Sequence, residues 1–322
     1  MTSKKSKTND QNTLIKIGTR TSRLALAQVA EVHLLLSQYF PKIKVEIIPI
    51  STTGDKIIDR NLAEFGGKGL FIKELEEALL NNDIDLAIHS AKDVPPEISK
   101  DTEISAYTTR IDPRDCLISK NYQVIDELPK NAVIGTSSPR RTAMLLKHRS
   151  DLKIVNFRGN VDTRIKKTIE LQEVDATILA VAGLERLEKN QLIKKPIAIE
   201  QMIPSGGQGS LAIQIRKDDE KIKNITKKIN DQNTDICITA ERTFLRELHA
   251  SCNTPIGVYG EIIDQRLKLR IMILDFDGKA YYQASGLCLP SLDQAIKIGK
   301  DLADQTKKEA QELWKKITSK KY

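Results

Sequence analysis

Cysteine is scarce in this 322-residue chain: four residues, Cys116, Cys237, Cys252 and Cys288, with no CxxC pair and no dense framework. That excludes a disulfide scaffold or zinc ribbon and makes a reducing, cytoplasmic compartment the expectation. Histidine is equally scarce, four residues at no metal-ligand spacing, so no metal is expected. Aromatic residues make up 4% of the chain, too few for an obvious base-stacking platform. No stretch approaches about 18 consecutive apolar residues, which excludes a membrane span. The lysines near the N-terminus are not followed by an apolar run of roughly 7–15 residues, so no secretory signal is read there. The glycine-rich phosphate motifs GxGxxG and GxxxxGK are also missing.

What remains is an ordinary globular composition, 40% hydrophobic and 29% charged, long enough for two or three domains. The net charge of +8 suggests a nucleic-acid binder until it is located. Lys4, Lys5 and Lys7 against Asp10 give the first 13 residues +2, and Lys315, Lys316, Lys320 and Lys321 give the last ten +4. The long middle holds the small remainder. Basic tails are usually solvated and disordered, so no nucleic-acid partner is expected and residues 1–13 are expected to be disordered.

Short apolar runs alternate with helical patterns through the first two-thirds. Leu14–Ile17, Val45–Ile50, Ile84–Ile88, Ala132–Ile134, Lys153–Phe157 and Ala176–Ala180 read as strands. Helices are predicted from Ser22, a candidate cap, to about Ser37, and over Leu70–Leu80, Arg140–Lys147 and Val161–Leu171. Two such blocks predict two doubly wound α/β domains with ligand loops beyond the strand ends. After about residue 232 the pattern changes. A helix over Asp235–His249 precedes strands at Ile256–Ile263, Leu267–Leu274 and Tyr281–Cys288, the last two joined by an Asp277-Gly278 turn. A polar helix over about Asp293–Ile317 completes a small α+β domain.

The loops after the strands share an unusual composition. They carry Arg20 and Ser22; His89, Ser90, Lys92 and Asp93; Thr136, Ser137, Ser138, Arg140 and Arg141; Arg158 to Asn160 and Arg164; and Arg186. Lys68 sits in the turn Gly66-Gly67-Lys68-Gly69. A single arginine at a strand end is ordinarily solvated or in a surface pair worth little. Six arginines and two lysines on one sheet edge point instead to a cleft for a polyanion, because the guanidinium fork matches carboxylate and phosphate. Asp93 is the odd acid among these bases, suited to orient an N–H donor or to stabilise a developing cation; a structural turn aspartate before Pro95-Pro96 is the alternative. Cys252 lies in the polar turn Ala250–Pro255, whereas the other cysteines sit in apolar runs. An exposed thiol near arginines is a candidate nucleophile or attachment point. His89, following an apolar strand, reads as structural. A non-catalytic solute-binding module shares most of these features but has no need of Cys252 or Asp93.

These residues also carry a resemblance. The chain resembles the porphobilinogen deaminase (hydroxymethylbilane synthase) family from about Leu14 to the last helix. The matching stretches are Gly18–Ser22, Gly66–Phe71, His89–Pro95, Asp112–Asp115, Gly135–Arg141, Phe157–Arg164, Leu179–Leu184, Gly207–Gly209 and Cys252–Gly257, in the family's order and spacing. The resemblance implies three domains: 1–110 plus 209–231, then 111–208, both like periplasmic binding proteins, then 232–322 carrying the cysteine. It implies a cytoplasmic, monomeric transferase of tetrapyrrole (haem) biosynthesis. Such an enzyme joins four porphobilinogen molecules head to tail, with loss of ammonia, on a dipyrromethane cofactor bound to the cysteine, and releases hydroxymethylbilane.

The polyanion argument then has a chemical object. Each ring brings an acetate and a propionate, and loss of ammonia leaves a cation for Asp93 to face. By resemblance Cys252 is the attachment residue and Asp93 the catalytic acid and charge stabiliser. Ser90, Lys92, Asp93, Ser138, Arg140 and Arg141 hold the cofactor. Arg20, Ser22, Arg158, Asn160, Arg164, Arg186 and Gln208 hold incoming rings or the growing chain, and Lys68 and Phe71 belong to a mobile loop. Ser251 and Asn253 stand where many relatives have glycine and glutamine, and Glu64 where lysine is frequent.

Overall fold

The computed structural model describes residues 14–52 and 72–319. Residues 1–13, Glu64, the Gly66–Gly69 turn, Lys68, Leu70, Phe71, Lys320 and Lys321 lie outside the described residues.

Three sheets organise the chain. The first contains β1 (Leu14–Thr19), β2 (Lys44–Pro49), β3 (Leu86–Ser90), β4 (Thr102–Tyr107) and β9 (Leu211–Arg216) in the order β2-β1-β3-β9-β4. β1 runs parallel to β2 and β3, and β9 lies antiparallel between β3 and β4. The second contains β5 (Asp115–Ile118), β6 (Val133–Gly135), β7 (Lys153–Val155) and β8 (Ala176–Ala180) in the order β5-β8-β6-β7, with β5 antiparallel. The third is an antiparallel meander of β10 (Ile256–Ile263), β11 (Arg266–Leu274) and β12 (Tyr281–Cys288). The architecture is thus two α/β lobes and a smaller α+β unit.

The strands inside the first sheet, parallel β1 and β3 and antiparallel β9, carry most of its buried apolar residues. Ile15, Ile17, Leu86, Ala87, Leu211, Ala212, Ile213 and Ile215 are buried, as expected where helices cover both faces. α1 (Arg23–Tyr39) covers the first sheet through Val29, Val32 and Leu36, and α2 (Lys73–Leu80) through Leu75 and Leu79. α3 (Pro139–His148), α4 (Val161–Ile169) and α5 (Val181–Arg186) serve the second sheet, and α6 (Glu220–Thr226) returns to the first. α7 (Gln232–Glu247) and α8 (Leu292–Glu309) close the meander over Phe244, Ile298 and Leu302. No helix of the described residues is long and apolar enough to cross a membrane.

Two expectations need correcting. The C-terminal helix is two helices, α8 and α9 (Gln311–Ser319), broken at the buried Ala310; the sequence has no glycine or proline there to mark the break. β4 and β5 were not expected as strands, because β4 is polar at Thr102, Glu103 and Ser105 and β5 is four residues opening on an aspartate.

The chain passes between the lobes twice, at 108–114 and at 205–210, and the two crossings lie side by side. Ile111 N–H donates to the Gly209 carbonyl at 3.3 Å. Gly209 has φ +99°, and a Cβ there would stand 2.6 Å from the Ile111 carbonyl oxygen, so only glycine fits. Glu241 of α7, fully buried, binds both crossings. Its carboxylate accepts from Arg110 Nη1 and Nη2 at 2.7 and 3.0 Å, from Gly207 N–H at 2.6 Å and from Gly260 N–H of β10 at 2.7 Å. A buried carboxylate is tolerated only with such full pairing.

Candidate functional site

The loops beyond β1, β3, β6, β7 and β8 carry the candidate residues. On the first lobe a cleft is lined by Arg20, Ser22, Gln28, His89, Ser90 and Asp93. Ser22 caps α1, its Oγ accepting from Ala25 N–H at 3.2 Å. Gln28 of α1 reaches across to donate to Ser90 Oγ at 2.7 Å. His89 is structural in the way expected. Its Nε2 stands 2.9 Å from Gln214 Oε1, and the Gln214 amide nitrogen is engaged by Glu76 and Thr102, so His89 Nε2 is the donor. Burial above all, with a smaller push from Arg20 and partly offset by the Gln214 hydrogen bond, lowers its pKa to about 4. The ring is neutral.

Asp93 is exposed at the end of a short 3-10 turn, Ala91–Asp93, and Lys92 is half-buried beside it. Lys92 Nζ donates to Gln208 Oε1 at 3.3 Å. Burial is the main cause that brings Lys92 down to about 8; Asp93 and Asp115 oppose the shift, and Arg141 and Arg140 add to it. That interplay places both lobes' charges around one ammonium.

On the second lobe Ser138 caps α3, accepting from Arg141 N–H at 3.4 Å, with Pro139 at the first helical position. Proline lacks an N–H and belongs at that position, so the residue that separates Ser138 from the arginine pair starts the helix. Asn160 caps α4, accepting from Thr163 N–H at 2.8 Å. Arg164, one turn into α4, donates from Nε to the Gly159 carbonyl at 2.8 Å. Burial and the charges of Arg141 and Arg158 bring the Arg164 guanidinium down to about 10, against the pull of Asp93. Lys92, Asp93, Arg140, Arg141, Arg158 and Arg164 therefore form one cluster with a surplus of positive charge.

Three arginines of the set are paired inside the protein. Arg140 and Arg141 are buried, at 5% and 6% exposure, and each donates one Nη2 bond to the fully buried Asp115 of β5, at 2.7 and 2.8 Å. Each gives its other Nη to a carbonyl, Ile203 and Ile178 respectively. The two guanidinium groups hold Asp115 ionised, well below the usual carboxylate range, against the penalty of burial. Arg186 is paired as well. It pairs with Glu31 of α1 at 2.7 Å and donates to the Gly209 carbonyl at 3.2 Å, tying α5 to the first lobe. Gln208, buried, donates to Asp115 Oδ1 at 3.0 Å and to the Pro113 carbonyl at 2.7 Å.

Asp115, Glu241, Arg110 and Gln28 were given no role by the sequence reading. The usable signals were an acid opening an apolar strand at Asp115 and an acid on the buried face of α7 at Glu241.

Cys252 is exposed in a turn beyond α7, the other three cysteines being buried or half-buried. Ser251 and Thr254 lace that turn: Ser251 N–H donates to Thr254 Oγ1 at 3.1 Å, and Asn253 N–H to Ser251 Oγ at 3.3 Å. The serine in place of glycine thus adds a turn hydrogen bond. Protein packed around the thiol, and then the negative charge of Asp93, raise the Cys252 pKa above its ordinary value. Cys252, from the third unit, is therefore within electrostatic reach of Asp93 on the first lobe.

Comparison with known proteins accounts for this arrangement. Residues 15–224 match the family model "Porphobilinogen deaminase, dipyromethane cofactor binding domain", and residues 235–308 match "Porphobilinogen deaminase, C-terminal domain". The chain belongs to the porphobilinogen deaminase family. A porphobilinogen deaminase of Natranaerobius thermophilus is 44% identical over 293 residues, covering 90% of this chain and 94% of that one. One of Rickettsia typhi is 51% identical over 251 residues, covering 78% and 84%. A solved methionine-binding protein shares 12% identity at a TM-score of 0.41 over 67% of this chain and 88% of its own, too remote to inform the site. The chain is thus a transferase of tetrapyrrole synthesis with a dipyrromethane-binding domain and a small-molecule substrate.

The residues present fit that cofactor. Arg141 Nε is buried without a hydrogen-bond partner, and such an orphaned donor calls for an acceptor. The repulsion of Lys92 by Arg140 and Arg141, and of Arg164 by Arg141 and Arg158, would be relieved by the cofactor's carboxylates.

Proposed function

We propose that Cys252 is the covalent attachment point of the cofactor and that Asp93 is the catalytic acid and charge stabiliser. One observation carries this reading: the Asp93 charge on the first lobe bears on the Cys252 thiol of the third unit, beside the arginine and lysine charge of the cleft. Lys92, Ser90, Ser138, Arg140 and Arg141 hold the cofactor, the last two as a pair fixed by Asp115. When bound, the cofactor supplies the pyrrole carbon onto which the chain is built. Asp93 accepts pyrrole N–H hydrogen bonds and faces the positive charge that develops on an incoming ring as ammonia leaves. The raised thiol pKa keeps Cys252 mostly protonated at neutral pH, which restricts it to strong electrophiles.

Arg20, Ser22, Arg158, Asn160, Arg164 and Gln208 serve the incoming rings and the growing chain; Lys68 and Phe71 complete this set by resemblance. The division into 1–110 plus 209–231, 111–208 and 232–322 is supported by the membership of the three sheets. The chain works as a cytoplasmic monomer that binds no nucleic acid, and the last point is supported by the placement of most of its net positive charge in the tails.

Native mass spectrometry after porphobilinogen addition, counting rings per protein, tests the division of labour. Arg20→Leu and Arg164→Leu are expected to carry cofactor and to stall before the full tetrapyrrole. Each lost charge-assisted bond, at about 1.5–3 kcal/mol, slows its step roughly ten- to a hundredfold. A wild-type ring distribution in both variants, or loss of folding in both, would return these arginines to a structural role.

A further inference from the structure

Helix α7 connects the two ends of the proposed chemistry. Its C-terminus leads through Leu248, His249 and Ala250 to the Cys252 turn. Its side holds one flank of the Asp93 turn directly and reaches the other through Gly207. Arg242 donates from Nη1 to the Val94 carbonyl at 3.0 Å, and from Nη2 to the Pro95 and Pro96 carbonyls at 2.8 and 3.4 Å. Pro95 and Pro96 have no N–H and cannot join a regular ladder, so this segment lacks the usual means of fixing its backbone. A planar fork with donors on two nitrogens suits three successive carbonyls, and an ammonium does not reproduce it. On the other flank, the neighbouring Glu241 binds Gly207 N–H at 2.6 Å. Gly207 packs so closely on the turn that a Cβ would lie 2.8 Å from Ala91 C and 2.9 Å from Lys92 N.

The turn itself is weak. It is three residues of 3-10 helix without a side-chain cap, closed by one long Val94 N–H to Ala91 carbonyl bond of 3.3 Å. The Asp93 carboxylate is at its exposed end. Its direction is therefore set by what holds its two sides: Ala91–Lys92 rests on the second crossing, through the Ser210 carbonyl at 3.0 Å and through Gly207, which Glu241 of α7 binds, and Val94–Pro96 is held by Arg242 of α7 itself.

We propose that Arg242 is a positioning residue for the reaction: by holding the Val94–Pro96 carbonyls it fixes Asp93 relative to Cys252 during every ring addition. This rests on the reading of Asp93 as the catalytic carboxylate. Arg242 lies outside the ring-binding set, so its effect falls on kcat. Misplacement of a catalytic group by about 1 Å can cost on the order of a hundredfold.

The test is a double-mutant cycle. Arg242→Met in the cofactor-loaded enzyme is expected to lower kcat by about ten- to a hundredfold with KM nearly unchanged. All ring-number intermediates should slow alike, in contrast to the stall expected of Arg20→Leu. Arg242→Lys should recover part of the loss. In an Asp93→Asn background the same Arg242→Met change should have little further effect. An equal fold-loss in both backgrounds, or a loss that follows only the folded fraction measured in parallel, would overturn the proposal. Should Arg242→Met fail to fold, the cycle is read on Arg242→Lys with the same criteria. Near-normal kcat in Asp93→Asn alone would overturn instead the catalytic reading on which the proposal rests.

Discussion

Replacement of Asp93 by asparagine is expected to give a folded protein that still acquires cofactor, at least in part, but whose kcat falls by about 10²–10³. The carboxylate is exposed at the end of a three-residue turn, and the turn is held through its backbone, so the isosteric amide leaves the fold nearly untouched. Surface substitutions of this kind typically stay within about 0.5 kcal/mol. What the amide loses is the negative charge facing a cation that exists only along the reaction path. Such an interaction acts on the transition state more than on bound substrate, so kcat carries the loss and KM changes little. Steady-state kinetics on the cofactor-loaded variant checks this. A near-normal kcat would show Asp93 to be a turn residue.

Asp115→Ala is expected to damage stability more than any other single change near the cleft. The carboxylate is fully buried and accepts from Arg140, Arg141 and Gln208. Removing it leaves two buried guanidinium groups without a counter-charge, at a cost of about 3–5 kcal/mol. Total stabilities are about 5–15 kcal/mol, so the variant should unfold at a much lower urea concentration and bind cofactor poorly. The sign of the pH dependence follows from the depressed folded-state pKa of Asp115. Its contribution is full above the ordinary carboxylate value of about 4 and is lost as pH falls below it. Arg140→Leu and Arg141→Leu break the same group, so they should lose stability along with cofactor. A wild-type urea midpoint in Asp115→Ala would contradict the view that this carboxylate holds the arginine pair.

The strands that position the site were legible where their apolar runs are continuous, as at Leu86–Ser90 and Ala176–Ala180. Burial on both faces leaves that mark in sequence. β9 has the same apolar character, but its antiparallel place between β3 and β4 depends on pairing partners more than 100 residues away, which no local pattern encodes. Among the proposed site residues, Ser22, Ser90, Asp93, Arg158 and Arg164 were singled out because loops beyond strand ends gather at one edge. Arg140, Arg141 and Arg186 were read only as ligands of a polyanion, and their internal partners were missed because those are distant in sequence. Asp115 lies 25 residues before Arg140, and Glu31 lies 155 before Arg186. Composition reveals a surplus of positive charge; it does not reveal which cations are neutralised inside the fold. Glu241 and Arg242 were missed for the same reason, since their significance lies in contacts with crossings and carbonyls of another unit.

The account depends most on the chemistry of one thiol. Intact mass, followed by peptide mapping of enzyme purified from cells that make porphobilinogen, tests it directly. The predicted result is a protein heavier than its sequence by one dipyrromethane unit, with the adduct on the peptide containing Cys252, a colour reaction with an acidic aldehyde reagent for pyrroles, and no added mass in Cys252→Ser. An adduct on Cys116, Cys237 or Cys288, or no adduct after incubation with porphobilinogen, would contradict it.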